Sequence, residues 1–211
     1  MNSLLDPPTA LLSAYDTAQE NSTVRYAPFR MERYQSMYEH RVRYNLSESG
    51  VHPLTVGELL EIAGSDVSVA DIRLGYGQSN GSDGLRELIA DQYEGASTAS
   101  VLVTVGGVEA NFACFWHLFE TEGTSALVLP TYGQVPGLLE SFGGRLSTVN
   151  LVEENGWQPD LDALERALAG GARFVLITNP NNPTGASLTR ESMDAIAALT
   201  EKHAAWIMAD E

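Results

Sequence analysis

From about residue 82 onward the apolar positions fall into a regular alternation of two periods. Leu85, Leu88 and Ile89 recur at i, i+3 and i+4, which predicts a helix over 82–93 with Ser82 or Asp83 as its cap. Ser100–Val105 is a short β-branched run and reads as a buried strand. Val108, Phe112, Phe115 and Phe119 then keep a helical spacing that should stop near Gly123. Further strands are predicted over 125–129, 145–151, 173–178 and 204–209. Between them lie helices over 133–142, over 161–169 with Asp160 as cap and Gly170-Gly171 as stop, and over 189–203 with Thr189 as cap.

Strand and helix alternate five times. This order predicts an α/β fold: a mostly parallel sheet with helices on both faces and right-handed crossovers. Ligands of such sheets collect outside the carboxyl ends of the strands, so the segments after 105, 129, 178 and 209 are where chemistry is expected. Residues 1–60 differ. They are rich in Arg and Tyr, lack strand runs, and read as an irregular arm with one or two helices, closing in the loop 47–53. The chain thus divides into an arm over 1–60 and a sheet domain over 61–211.

Charge narrows the partners. Twelve basic against twenty-eight acidic side chains leave a net charge of −16, which disfavours nucleic acid and anionic lipid. Eleven of the basic residues are Arg and one, Lys202, is Lys; abundant carboxylates with so little Lys suggest a surface suited to high salt. The single cysteine, Cys114, excludes an internal disulfide and multi-cysteine zinc sites. The four histidines show no metal-ligand spacing. The first residues lack a basic region ahead of their apolar stretch, and no apolar run approaches the roughly 20 residues of a membrane helix, so a cytoplasmic protein is expected.

Four strand-end segments carry candidate chemistry. Gly106-Gly107-Val108 opens a helix directly after a strand, where backbone N–H groups and the helix N-terminus favour an anion. The segment is neither a Walker loop nor a dinucleotide fingerprint. Tyr132, after the next strand, could cover a flat ligand. Asn179-Pro180-Asn181-Asn182-Pro183-Thr184-Gly185 contains two Asn-Pro steps, which stiffen the backbone and present side-chain amides in a set direction. Asp210 ends the last strand as a carboxylate behind an apolar run. A literal G-x-S-x-G, Gly77 to Gly81, raises a competing hydrolase reading with Ser79 as nucleophile, but the segment before it is a poor strand and the later histidines lie on predicted helices.

Taken in order from about Asn45, these motifs resemble the fold-type I pyridoxal-phosphate enzymes, the class I/II aminotransferases. Tyr76-Gly77…Gly84-Leu85-Arg86, Gly106–Ala110, Asn179–Gly185 and Ala209-Asp210-Glu211 carry the likeness. The resemblance implies that the N–H groups of Gly107 and Val108 hold the phosphate of pyridoxal 5'-phosphate, although Val108 stands where many relatives have a hydroxyl. It implies that Tyr132 stacks on the pyridine ring, that Asn182 donates to the ring's phenolate oxygen with Asn182–Pro183 often cis, and that Asp210 pairs with the protonated ring nitrogen. Tyr76 would reach the phosphate of a neighbouring subunit, implying a homodimer, and Gly50 would lie near the substrate carboxylate. The segment 45–52 bears a fainter likeness to the capreomycidine synthase branch.

The implied reaction moves an amino group between an amino acid and a 2-oxo acid. The lysine that binds the cofactor aldehyde in this family lies beyond the Asp210 position, as do the arginine that grips the substrate and the small C-terminal domain. The chain is therefore expected to be an N-terminal portion without its own catalytic residue, inactive alone. The alternative is a non-catalytic or split-subunit cofactor-binding module.

Overall fold

The computed structural model describes residues 29–47, 50–118 and 123–211. They fall into two compact units: one comprises residues up to Tyr34 together with Val105–Glu211, the other Gln35–Thr104.

The larger unit holds the sheet. After helix α1 (Arg30–Tyr38), and after α2 (Val56–Ala63) and α3 (Asp83–Ala90) of the other unit, the chain runs α4 (Gly106–Leu118), β1 (Thr124–Leu129), α5 (Gln134–Ser141), β2 (Arg145–Val152), β3 (Gln158–Pro159), α6 (Leu161–Ala169), β4 (Ala172–Thr178), α7 (Arg190–Lys202) and β5 (Trp206–Asp210). The strand order is β3-β2-β1-β4-β5. β1 is parallel to β2 and β4, β4 is parallel to β5, and only the two-residue β3 runs antiparallel, against β2.

Alternation along the strands sends side chains to two cores. Ala126, Val128, Val175 and Ile177 face one way and pack with Leu164 and Leu168 of α6 and Ile196 of α7. Leu127 and Leu176 face the other way and pack with Phe115 of α4 and with Val135 and Leu139 of α5. The sheet is thus covered on both faces, as the alternation of elements predicts.

The caps set the helix starts. The Asp160 carboxylate accepts from the Ala163 N–H at 2.9 Å, the Thr189 hydroxyl from the Ser192 N–H at 3.1 Å, and the Ser82 hydroxyl from the Leu85 N–H. Thr55 and Glu58 form a reciprocal capping box at α2.

One expectation fails. The run Ser100–Val105 is not a strand: a 3-10 turn covers Thr98–Ser100, and the residues after it up to Thr104 carry no regular secondary structure. The Val103 N–H donates to the Asn80 carbonyl, and Leu102 and Val105 are 59% and 90% exposed. A β-branched run makes a strand only where a neighbour supplies the ladder. The helix predicted from Val108 onward forms as α4, and its phenylalanines differ in burial. Phe115 is core, whereas Phe112 is largely exposed and stacks on Trp116; Phe119 lies outside the described residues. Half of the expected arm, residues 1–28 with 48 and 49, lies outside them; the described half holds α1 and the start of α2.

Candidate active site

The path of the chain creates the crevice. From β1 the chain crosses through α5 to β2 on one side; from β4 it crosses through α7 to β5 on the other. Helices α5 and α7 accordingly lie on opposite faces. The segments leaving the carboxyl ends of β1 and β4 diverge, which opens a gap at that rim of the sheet.

A cleft of about 260 Å³ occupies this rim, lined by Gly107, Val108 and Asn111 of α4, Tyr132 after β1, Thr178, Pro180 and Asn182 at and after β4, and Asp210 and Glu211 at the end of β5. Five residues singled out from sequence, Gly107, Val108, Tyr132, Asn182 and Asp210, therefore meet in one place. Tyr76 and Gly50 belong to the other unit and are not among the lining residues; Tyr76 is fully exposed.

Backbone pairing fixes the heights of these groups. Thr178 is the register partner of Asp210, and the Asn179 N–H donates to the Asp210 carbonyl at 2.9 Å. The threonine hydroxyls Thr131 Oγ1 and Thr178 Oγ1 lie 2.9 Å apart and join the ends of β1 and β4. Asn181, 7% exposed, donates from Nδ2 to the Pro130 carbonyl at 2.8 Å and accepts the Thr184 hydroxyl at 2.8 Å. Asn179 Oδ1 accepts the Leu188 N–H. The asparagine-rich loop thus divides its labour: Asn179 and Asn181 hold its shape, and Asn182 lines the cleft. The Asn182–Pro183 peptide is cis, as are Leu129–Pro130 and Asn179–Pro180.

The two glycines that open α4 have different reasons to be glycine. Gly106 has φ +78°, a left-handed conformation open to it without the clash a Cβ would bring. Gly107 faces the cleft, and a Cβ there would stand 3.7 Å from Asp210 Oδ1, in the space between the helix start and the carboxylate. The Glu109 carboxylate turns back to accept the Val105 N–H.

Electrostatics in the cleft are acidic. Burial pushes the Asp210 carboxyl above the ordinary carboxylate range, and a hydrogen bond from Asn111 pulls it partly back. The Tyr132 phenol is raised by its own burial first and then by the negative charges of Glu32 and Asp210. The ring of Phe29 stands edge-on to Tyr132, centroids 5.1 Å apart at 80°, and fixes its tilt.

Ser79 and Lys202 are elsewhere. Ser79 sits in an exposed turn with no strand before it, so the nucleophile elbow of the hydrolase reading does not form. Lys202, at the end of α7, donates from Nζ to Glu165 Oε1 of α6 on the protein surface. Among the described residues no group of three or more His, Cys, Asp or Glu could hold a metal ion, and no helix is long and apolar enough to cross a membrane.

Sequence reasoning overlooked Asn111, which lines the cleft, and Gln134, whose Oε1 accepts from Asn111 Nδ2 at 3.1 Å and whose Nε2 donates to the Val108 carbonyl at 2.8 Å. Both are polar residues of helices with no motif around them. A signal existed: Asn111 lies four positions before the buried Phe115 and so occupies the inward face of α4.

The profile of the aminotransferase class I and II family matches residues 58–211, and the chain belongs to that family. It is 29% identical over 141 residues to the aspartate/prephenate aminotransferase of Thermus thermophilus, covering 64% of this chain and 37% of that protein. It is 30% identical over 149 residues to the capreomycidine synthase of Streptomyces vinaceus, covering 69% of this chain and 38% of that protein. A solved PLP-dependent aminotransferase from Streptococcus suis superposes with a TM-score of 0.81 at 27% identity, over 88% of this chain and 51% of that one. The chain therefore spans well under two thirds of the length of these relatives.

Proposed function

We propose that this chain forms the cofactor-cradling part of a pyridoxal 5'-phosphate-dependent aminotransferase, which moves an amino group between an amino acid and a 2-oxo acid. The observation that carries the reading is the single cleft joining a helix N-terminus, an aromatic ring, an amide and a carboxylate at the switch point of the sheet.

The residues present suit that cofactor. The N–H groups of Gly107 and Val108, at the positive end of α4, would take the phosphate. The missing Cβ of Gly107 leaves room between them and Asp210. The ring of Tyr132 would lie along the pyridine, Asn182 would donate to its phenolate oxygen, and Asp210 would hold a proton on the ring nitrogen. When bound, the cofactor supplies an electron sink for the substrate's α-carbon.

The chain's own contribution is to orient and to hold charge. A carboxylate raised by burial gains most from a cationic partner, so Asp210 favours the protonated form of a pyridine nitrogen. The surface position of Lys202, engaged with Glu165, supports assigning it no covalent role. The full exposure of Tyr76 supports its reaching a second copy of the chain, with Gly50 beside the substrate carboxylate of the assembled enzyme.

The test is a titration of the purified chain with pyridoxal phosphate, followed by absorbance and then by borohydride reduction. Saturable binding, no reduced adduct on Lys202 and no amino-acid-dependent conversion to pyridoxamine phosphate are expected. Absence of binding would overturn the cofactor assignment. A Lys202 adduct with rapid turnover would overturn the non-covalent reading.

A further inference from the structure

Gly133 has no backbone reason to be glycine. Its φ of −68° is an ordinary right-handed value, and it stands at the N-cap of α5 without a side-chain hydrogen bond, where Ser, Thr, Asp or Asn would cap better. Space supplies the reason. A Cβ on Gly133 would stand 2.9 Å from both Cδ2 and Cζ of Phe29 and closer still to Cε2, nearer than real Cβ atoms come to their neighbours. The Phe29 ring therefore occupies the volume that any other residue at 133 would fill.

The same ring meets Tyr132 edge-on, with centroids 5.1 Å apart. The two contacts are geometrically independent: one is with the Tyr132 ring, the other with the Gly133 backbone. The Tyr132 backbone is held already, because its carbonyl accepts the N–H of Val135, a core residue, at 3.3 Å. That leaves the rotation of the phenol about its side-chain torsions, and a ring packed against it restricts that rotation. Phe29 is in turn fixed to α1, since the Arg33 N–H donates to the Phe29 carbonyl at 3.1 Å. Phe29, Arg33, Tyr132 and Gly133 all belong to the larger unit.

We propose that Phe29 is a positioning residue of the cleft: seated on Gly133, it sets the orientation of the Tyr132 ring and ties the first turn of α1 to whatever stacks there. Phe29 is not among the lining residues, so it acts through Tyr132. Linkage makes the effect mutual: a flat ligand held by the oriented ring stabilises the seat of α1 by as much as the seat favours the ligand. That the ligand is a pyridine rests on the function proposed above; the orientation of Tyr132 does not.

The experiment uses the 211-residue chain with carbon-13-labelled tyrosine, the Tyr132 ring signal being assigned through Tyr132→Phe. Phe29→Ala should shift that signal and weaken pyridoxal phosphate binding about fivefold, the loss of one aromatic pair. Gly133→Ala, which drives the Phe29 ring from its seat, should do the same in the parent and nothing further in the Phe29→Ala background, where the new methyl group has room. Saturating pyridoxal phosphate should slow hydrogen exchange at the Arg33 amide of the parent and lose that effect in Phe29→Ala. A Tyr132 signal unmoved by Phe29→Ala would overturn the proposal, as would a Gly133→Ala loss that persists undiminished in the double variant. Unchanged Arg33 exchange in a chain that binds would overturn the tie to α1. Phe29→Leu, which keeps bulk and loses the ring, replaces Phe29→Ala if the latter lacks a native circular dichroism spectrum. A displaced Tyr132 signal with the same cancellation, in a chain that never binds pyridoxal phosphate, would keep the positioning role and overturn the cofactor assignment instead.

Discussion

β1 and β5 flank the same strand, β4, and are built from similar apolar residues, yet they are held very differently. Residues 125–128 of β1 are buried, and the strand is laddered on both sides by β2 and β4. In β5, Trp206 and Ile207 remain 65% and 42% exposed, and the strand pairs with β4 along one edge. Each leads into the cleft. Tyr132 follows a strand without an exposed residue, and Asp210 ends one without a buried residue. The site therefore joins a firmly packed wall to a lightly held one.

The contrast can be broken first through stability. Leu127 is fully buried between β1 and α5, and Leu127→Ala should lower the unfolding free energy by about 2–5 kcal/mol. Ile207→Ala on β5 should cost about 1 kcal/mol or less. Urea denaturation of the two variants measures the gap, and equal losses would erase the distinction between the strands.

Function should rank the strands the other way. Asp210→Ala is expected to weaken pyridoxal phosphate binding about 100-fold, through loss of a charge-assisted hydrogen bond, while leaving the denaturation midpoint close to that of the parent. Binding titration and urea midpoint together check this.

A smaller effect follows from pH. Burial raises the Asp210 carboxyl above its ordinary value of 3.8, so the native state holds that proton more tightly than the unfolded chain does. The associated stability is present below the ordinary carboxylate range and is lost as pH rises through the raised native value. Asp210→Asn should therefore melt slightly higher than the parent near neutrality, with the gap closing in acid. Calorimetry at several pH values reads the sign. The smallest change is expected from Lys202→Ala, which removes an exposed ion pair with Glu165 and should leave cofactor binding as it was.

Much of this was legible from residue pattern. The strands at 124–129, 145–152, 172–178 and 206–210 follow apolar runs, and Asp160 and Thr189 mark their helices through an N-cap hydroxyl or carboxylate that any reader of the chain can find. What escaped was settled by neighbours in space. Val101 and Val103 have the composition of a strand, but pairing is not a property of one segment. β3 escaped for the opposite reason: two residues, one of them Pro159, form a strand because β2 lies beside them, at an edge where proline is tolerated.

In the site, the glycines, Tyr132, Asn182 and Asp210 announced themselves by following predicted strand ends. Asn111 and Gln134 stand inside helices, where a polar side chain looks like solvent-facing surface until the opposite face is found to be packed. The asparagine loop shows the same limit from within one motif, since spacing alone does not separate Asn181, which braces the turn, from Asn182, which lines the cleft.

Because Asp210 arrives on a strand paired along one edge, anything that binds the cleft engages only those molecules in which β5 is docked against β4. By mass action, occupancy then acts as a clasp on that margin: the amides of Ile207–Asp210 should gain protection from hydrogen exchange far more than those of β1, whose opening already requires the whole sheet to come apart.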